Sequence, residues 1–213
     1  MNKIGKTEIK TKNKSHEFKI KDKAIQETIT TLLEDEELYV KLSGEILYVE
    51  NAELKTLSQY LKYKNNLMEY KDICKLVRDI VYLEKRLEEK NRCITYYNLE
   101  DIVVINDNLF LFLNDSKLSN IEESNLKITF PIDKKEEFIY PEIRNSESLP
   151  IIVSYKASYY SLGLLVLRLL LPEKKDALVL YDTIKELLYP TALYWFLVSV
   201  LNIDSEKREL IML

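Results

Sequence analysis

Three polar residues occupy the centre of a stretch that has the hydrophobic frame of a catalytic loop running into a strand. They are Tyr96, Tyr97 and Asn98, in the sequence CITYYNLEDIVVIND of residues 93–107. General acid–base catalysis needs a side chain that exchanges a proton near neutral pH. A phenol keeps its proton at that pH, and a carboxamide does not take one up. The stretch is therefore predicted to lack a general base.

Other residue types with chemical potential are few. Cys74 and Cys93 have neither the paired spacing nor the nearby histidines of a disulfide framework or a zinc site, which fits a reducing compartment such as the cytoplasm. The single histidine, His16, lies in a lysine-rich segment and is predicted to be exposed. No Ser–His or Cys–His nucleophilic pair is therefore expected, and no metal site.

The composition indicates a globular protein. The chain has 213 residues, of which 46% are hydrophobic, and a net charge of -4 from 31 basic and 35 acidic residues. This near balance argues against nonspecific nucleic-acid binding. The longest apolar runs, residues 162–171 and 192–201, are too short to span a bilayer and are predicted to be core helices. The charged start predicts no secretory leader.

Lysines crowd the beginning of the chain. Residues 1–20 are predicted to form a flexible basic arm, because such a charge run is usually a solvated segment. A lipid- or nucleic-acid-binding role of this arm is the alternative.

Hydrophobic spacing predicts the elements of the first half. Apolar residues recur at helical spacing over residues 21–37, and two apolar runs flank Ser43 and Gly44 as in a β-hairpin. A short helix is predicted over residues 53–64 and a long amphipathic helix over residues 70–91.

The second half is predicted to contain two strands and then mainly helices. The strands cover residues 101–106 and 108–113, with a turn at Asp107 and Asn108. Residues 114–135 show little periodicity, and residues 153–213 read as buried helices. These elements together predict the α+β class.

Over residues 38–213, the order of these elements and five motifs resemble the protein-kinase fold. EILYVENAELKTLSQYLKYKN resembles the last small-lobe strand, the hinge and the first large-lobe helix. CITYYNLEDIVVINDNLFLFLND resembles the catalytic loop, the strand pair and the metal-binding turn. FIYPEI resembles the segment ending in Ala-Pro-Glu, SYYSLGLLVLRLL the buried large-lobe helix, and YWFLVSVLNIDSEKRELI the closing helices. The resemblance implies a truncated small lobe with a β-hairpin, residues 21–51, and a mostly helical large lobe, residues 52–213.

At single positions, the resemblance implies that the catalytic groups are lost. Tyr96, Tyr97 and Asn98 fall where a kinase has His-Arg-Asp, whose Asp accepts the substrate proton. Asn114 falls where the Mg²⁺-holding Asp of Asp-Phe-Gly belongs. Ser158 replaces a buried Asp that ties the large-lobe helix to the catalytic loop. These are neutral replacements at positions where the family carries charge.

The resemblance leaves a weak candidate for metal and nucleotide binding. Asp101 and Asn114 are similar to the family's Asn and Asp with their identities exchanged, and Asp115 follows. However, only two residues separate Asn98 from Asp101, where the family has four. No glycine-rich phosphate loop exists, and Lys19 or Lys21 with Glu27 is a poor stand-in for the family's ion pair. No cofactor is therefore expected.

Two further features follow from the resemblance and from the apolar helices. Glu142 and Arg208 stand where kinases have a buried ion pair that holds the large lobe together, so their side chains are expected to meet. Tyr159, Tyr160 and Trp195 lie in apolar helices and are predicted to be core residues rather than a ligand site.

The resemblance implies a pseudokinase, a catalytically inactive kinase-like domain that binds or scaffolds an unidentified protein. One alternative is an atypical serine/threonine kinase that keeps nucleotide and metal binding. Another is the cytosolic pseudokinase part of a bacterial secretion-system component. The degeneracy is similar to that of kinase-like proteins of large DNA viruses, which implies a host-cell cytoplasmic location.

Overall fold

The computed structural model describes residues 2–171 and 180–213. Within them the chain has an α+β fold, as predicted, and its strands pair antiparallel. The strands are β1 (Asn2–Ile4), β2 (Thr7–Lys12), β3 (Ser15–Lys19), β4 (Val40–Ser43), β5 (Ile46–Val49), β6 (Leu54–Thr56), β7 (Arg92–Ile94), β8 (Ile102–Ile105), β9 (Leu109–Phe112), β10 (Leu118–Asn120), β11 (Asn125–Ile128) and β12 (Ile151–Ser154). The helices are α1 (Lys23–Asp35), α2 (Leu57–Tyr63), α3 (Tyr70–Glu88), α4 (Pro141–Arg144), α5 (Ala157–Leu170), α6 (Leu180–Leu188) and α7 (Ala192–Val200).

The N-terminal part is a five-stranded sheet in the order β1-β2-β3-β5-β4, with α1 between β3 and β4 in the chain. The prediction of a flexible arm over residues 1–20 is wrong, because residues 2–19 supply three strands of this sheet. The N-terminal region that combines strands and a helix, predicted over residues 21–51, therefore begins at residue 2. It carries a full sheet rather than an isolated hairpin.

The strands form despite the lysines because buried residues alternate with charged ones. Ile9 and Phe18 are buried and face each other across β2 and β3, whereas Lys10 is exposed. A side chain on every second position is enough to bury one face of a sheet, and the lysines cover the other face. Two-residue turns join the strands, and Gly5 and Asn13 adopt the positive φ (59° and 58°) that such turns favour.

His16 is buried in β3, which corrects the prediction that it is exposed. Its Nε2 lies 2.9 Å from the carbonyl oxygen of Ala52, and its Nδ1 lies 3.0 Å from Thr11 Oγ1. A carbonyl oxygen only accepts, so Nε2 donates to it, and Nδ1 shares a hydrogen bond with the Thr11 hydroxyl. His16 thus ties the sheet to the segment that leads into β6, and both ring nitrogens are occupied.

The predicted helices of the first half are present, and capping residues define where two of them begin. Asp22 caps α1 by accepting from the amides of Ala24 and Ile25. Thr56 and Gln59 form a capping box at the start of α2. The predicted hairpin is β4 and β5, and Gly44 in its turn has φ of 59°. The apolar face of α3 packs against β9 and α1 in the main core.

A second sheet has the order β6-β8-β9, so β6, which precedes α2 and α3 in the chain, pairs with β8, which follows them. The predicted strand pair is β8 and β9, joined through residues 106–108. The region 114–135, which shows little periodicity, contains β10 and β11. β10 pairs with β7, and β11 pairs with β12, so the stretch from residue 153 begins in a strand rather than in a helix.

The C-terminal body packs α5 against α7 at a glycine. A Cβ on Gly163 would lie 2.8 Å from Val200 Cγ2 and 2.7 Å from Leu201 Cδ2, so a larger residue here would require these side chains to shift. Tyr159 is buried as predicted, but Trp195 is 50% exposed and is not a core residue. In the described residues, no helix combines the length and apolarity needed to cross a membrane.

Candidate functional site

A cleft of about 810 Å³ lies between the five-stranded sheet and the elements that follow it. The sheet contributes Lys3, Ile4, Gly5, Ile9, Thr11 and His16, and the opposite wall contributes Leu54, Thr56, Gln59, Glu100 and Asp101. The walls are therefore part apolar and part polar. The cleft is the candidate functional site because it is large enough for a small ligand and opens beside the predicted catalytic loop.

A polar cluster of Asp101, Asn114, Asp115 and Lys117 lies at one end of this cleft. Asn114 Nδ2 donates to Asp101 Oδ1 at 2.6 Å, and Lys117 Nζ donates to Asp101 Oδ2 at 2.6 Å. Both Asp101 and Lys117 are largely buried, so the charge of Asp101 is neutralised locally. Lys117 also lies 3.7 Å from the centre of the Tyr96 ring.

The turn at Gly5 and Lys6, called here the β1–β2 turn, closes over this cluster. The Lys6 backbone N–H donates to Asp115 Oδ1 at 2.8 Å, between residues 109 positions apart. A Cβ on Gly5 would lie 1.9 Å from Asn114 Oδ1, so the glycine backbone rests against the Asn114 side chain. Asn114 Oδ1 also accepts from the amide and the hydroxyl of Ser116. The space beside Asn114 and Asp115 is filled by the protein itself.

None of the three central loop residues is arranged as a base. Burial raises the pKa of Tyr96 to about 12, with a further contribution from Glu136 and Asp101. Burial also holds the pKa of the Tyr97 phenol well above its usual value, and the neighbouring Glu84 adds to the effect. Asn98 Nδ2 donates to Glu136 Oε2 at 2.9 Å. Two protonated phenols and an engaged carboxamide do not abstract a proton at neutral pH.

The loop is instead fixed to the core by Tyr97. Its hydroxyl donates to Glu84 Oε1 at 2.5 Å, and its backbone N–H donates to Ser161 Oγ at 3.0 Å. Ser158, the position where the resemblance implies that a tying Asp is lost, donates its hydroxyl to the carbonyl of Tyr155. The link between the loop and α5 is made by Ser161 instead. Its position one turn later on the same helix is the only sequence signal for it.

Glu142 and Arg208 are brought together, although 66 positions separate them. Arg208 Nη2 lies 2.7 Å from Glu142 Oε1, and Arg208 is fully buried while Glu142 is 25% exposed. The contact uses one nitrogen rather than two, since Arg208 Nη1 and Glu142 Oε2 make no hydrogen bond. Arg208 also donates to the carbonyls of Asn202 and Ile203 and lies 4.8 Å from the Tyr160 ring centre.

Lys19, Lys21 and Glu27 do not form the ion pair considered from the sequence. Glu27 pairs instead with Lys90, beyond the end of α3. Nor do the described residues contain a group of three or more His, Cys, Asp or Glu side chains placed to hold a metal ion. The candidate set Asp101, Asn114 and Asp115 is close together but committed to Lys117, Ser116 and the β1–β2 turn.

Neither the models of known protein families nor the curated proteins include one that matches this sequence.

Proposed function

We propose that this chain is a protein-kinase-like domain without phosphotransfer activity that acts as a protein-binding or scaffolding module. The order of elements supports the kinase-like part: a five-stranded sheet with one helix after its third strand, a cleft, a loop, a strand pair and a helical body. In protein kinases, the lysine of the third strand contacts the phosphates and pairs with a helix glutamate, and the glycine-rich loop covers the phosphates.

One observation carries the proposal that phosphotransfer is lost. The β1–β2 turn, which occupies the place of the phosphate-covering loop, contacts Asn114 and Asp115 directly. In an active kinase the phosphates and their metal ions lie between that loop and the metal-binding Asp. The contact leaves no room for them between the turn and the side chains of Asn114 and Asp115.

The catalytic loop supports the same conclusion independently. At the position of the catalytic Asp, Asn98 donates a hydrogen bond to Glu136 and offers no carboxylate. The loop nevertheless keeps its place, because Tyr97 is anchored to both α3 and α5. A loop that keeps its position in the fold but lacks the catalytic carboxylate is consistent with a binding role.

The competing proposal, an atypical kinase, rests on Asp101 and Asp115 as metal ligands. Asp101 is the better placed because it lines the cleft. Its two oxygens already accept from Asn114 and Lys117, and a metal ion would have to displace the buried ammonium group. We therefore favour the inactive domain. A location in the cytoplasm, or in the host-cell cytoplasm if the protein is viral, remains part of this proposal and accords with the free thiols of Cys74 and Cys93.

Nucleotide binding and phosphotransfer test the proposal. We expect no thermal shift with millimolar ATP and Mg²⁺, whereas a ligand at about 100 times its Kd would stabilise the fold by roughly 2.7 kcal/mol. We also expect Asn98→Asp to remain inactive, because catalytic groups that work as a unit are not restored singly. Phosphorylation of itself or of a generic substrate by the wild-type protein, above a heat-inactivated control, would exclude the inactive domain.

A further inference from the structure

The β1–β2 turn is held by interactions that are specific to this one position in the cleft. Gly5 cannot carry a Cβ against Asn114, and the amide of Lys6 donates to a carboxylate that is nine-tenths buried. Within the described residues, Asp115 has no cationic partner, so the turn amide is what compensates its charge. A hydrogen bond to a charged group is stronger than one between neutral groups.

The strand that carries this turn is weakly held elsewhere. β1 has three residues, lies at the edge of the sheet and pairs only with β2. Short edge elements with few contacts open at low free-energy cost. The closed arrangement also leaves a buried hydroxyl, Thr7 Oγ1, without a hydrogen-bond partner. An unpaired buried donor disfavours the closed state and so reduces its advantage over an open one.

We propose that the β1–β2 turn is a latch that regulates access to the cleft. In the closed state described above, the turn covers Asn114 and Asp115 and separates them from the cleft, which Gly5 and Asp101 line. In the released state Asn114 and Asp115 join the cleft and can be reached by a ligand or by a partner's side chain. This inference rests on the proposed function only in taking the cleft as the relevant site. The contacts that define the latch do not depend on it.

Amide hydrogen exchange of Lys6, measured residue by residue in the full chain, tests the latch. Asp115→Ala should accelerate exchange of this amide about tenfold or more, and Asp115→Asn by less, because the amide oxygen still accepts a hydrogen bond but carries no charge. The amide of Lys14, in the neighbouring β2–β3 turn, should not change. An unchanged Lys6 amide in Asp115→Ala would overturn the latch.

A matched pair of glycines provides the control. Gly5 and Gly44 both have φ of 59°, but a Cβ on Gly44 meets nothing within 4 Å. Both alanine substitutions strain the backbone at the same φ, but only the one at Gly5 also places a Cβ within 3.0 Å of Asn114 and Ser116. We expect Gly5→Ala, and not Gly44→Ala, to accelerate exchange of Lys6, and Asn114→Ala to reduce the effect of Gly5→Ala. Equal effects of the two glycine substitutions on Lys6 exchange would contradict the latch. If Gly5→Ala fails to fold, the Asp115 variants provide the test.

The latch and the proposed function fail separately. If Lys6 exchange is unchanged in the Asp115 and Gly5 variants, the latch is wrong, and the inactive domain then rests on the catalytic loop at Asn98, which the phosphotransfer assay tests separately. If the Gly5→Ala variant shows an open turn and binds ATP with Mg²⁺, the latch is supported and the proposal that the cleft cannot bind nucleotide is refuted. Opening without nucleotide binding supports both.

Discussion

Replacing Glu84 by Gln should remove a pH dependence of stability that originates in the core. Glu84 lies on α3 and is 1% exposed, and its carboxyl accepts from the Tyr97 hydroxyl and, at 3.4 Å, from the Ile94 amide. The pKa of Glu84 is raised to about 8, mainly by burial and also by the nearby Glu88, while the two hydrogen bonds act in the opposite direction. The folded protein therefore holds this proton at neutral pH.

The sign and size follow from proton linkage. An unfolded chain loses the proton near its ordinary pKa of about 4.3, so stabilisation is complete below that pH and is lost as the pH rises toward the folded pKa of about 8. Each pH unit in this window costs about 1.4 kcal/mol of unfolding free energy. Between about pH 5.5 and about pH 7.5, the wild-type protein should lose roughly 3 kcal/mol relative to Glu84→Gln, which resembles the protonated side chain.

Urea unfolding followed by circular dichroism at several pH values measures this difference. The comparison between wild type and variant cancels the contributions of other groups with raised pKa values, such as Asp79 and Glu88. Glu89→Gln, an exposed change at the end of the same helix, is the matched control and should leave the slope unchanged. Equal slopes for the wild-type protein and Glu84→Gln would refute the claim that Glu84 is buried and protonated.

Two further predictions concern the links that hold the large body together. Glu142→Gln or Arg208→Gln should each destabilise the fold, toward the low end of about 3–5 kcal/mol because Glu142 is partly exposed, and a double-mutant cycle should show coupling. Additive effects would mean that the ion pair contributes nothing of its own. Ser161→Ala should cost about 1–3 kcal/mol because the Tyr97 amide is left without a partner, whereas Ser158→Ala should cost less, as measured by urea unfolding. A larger effect at Ser158 would show that the loop is tied differently.

The elements that could be predicted are those with a strong, local pattern. The helix α3 has one continuous apolar face, and Gly44 marks the turn between β4 and β5. The strands of residues 2–19 were missed because their lysines dominate the composition, although Ile9, Phe18 and Ile20 are spaced for one buried sheet face. Charge density describes only the solvent face of a strand. The spacing of apolar residues at every second position was the sequence signal for these strands.

The site was predictable in its residue types but not in its contacts. The neutral character of Asn98 and Asn114 can be read from the sequence. The contact between Asn114 and Gly5 cannot, because it joins segments more than 100 positions apart, and the sequence around Gly5 shows only a turn. The contact of Ser161 with Tyr97 was not predictable for a similar reason, since Ser158 and Ser161 both lie on one buried helix and only its rotation decides which hydroxyl faces Tyr97.

The distance in sequence between Lys6 and Asp115 bears on how the protein folds as it is synthesised. Strands β1, β2 and β3 form a meander whose contacts are local, so they can pair as soon as residues 2–19 have left the ribosome. Their anchor at residue 115 emerges about 109 residues later. At synthesis rates of roughly 5–20 residues per second, the first hairpin waits several seconds with its turn unattached. The nascent chain thus passes through an interval in which the cleft lacks its second wall and the Gly5 turn is free to meet other molecules.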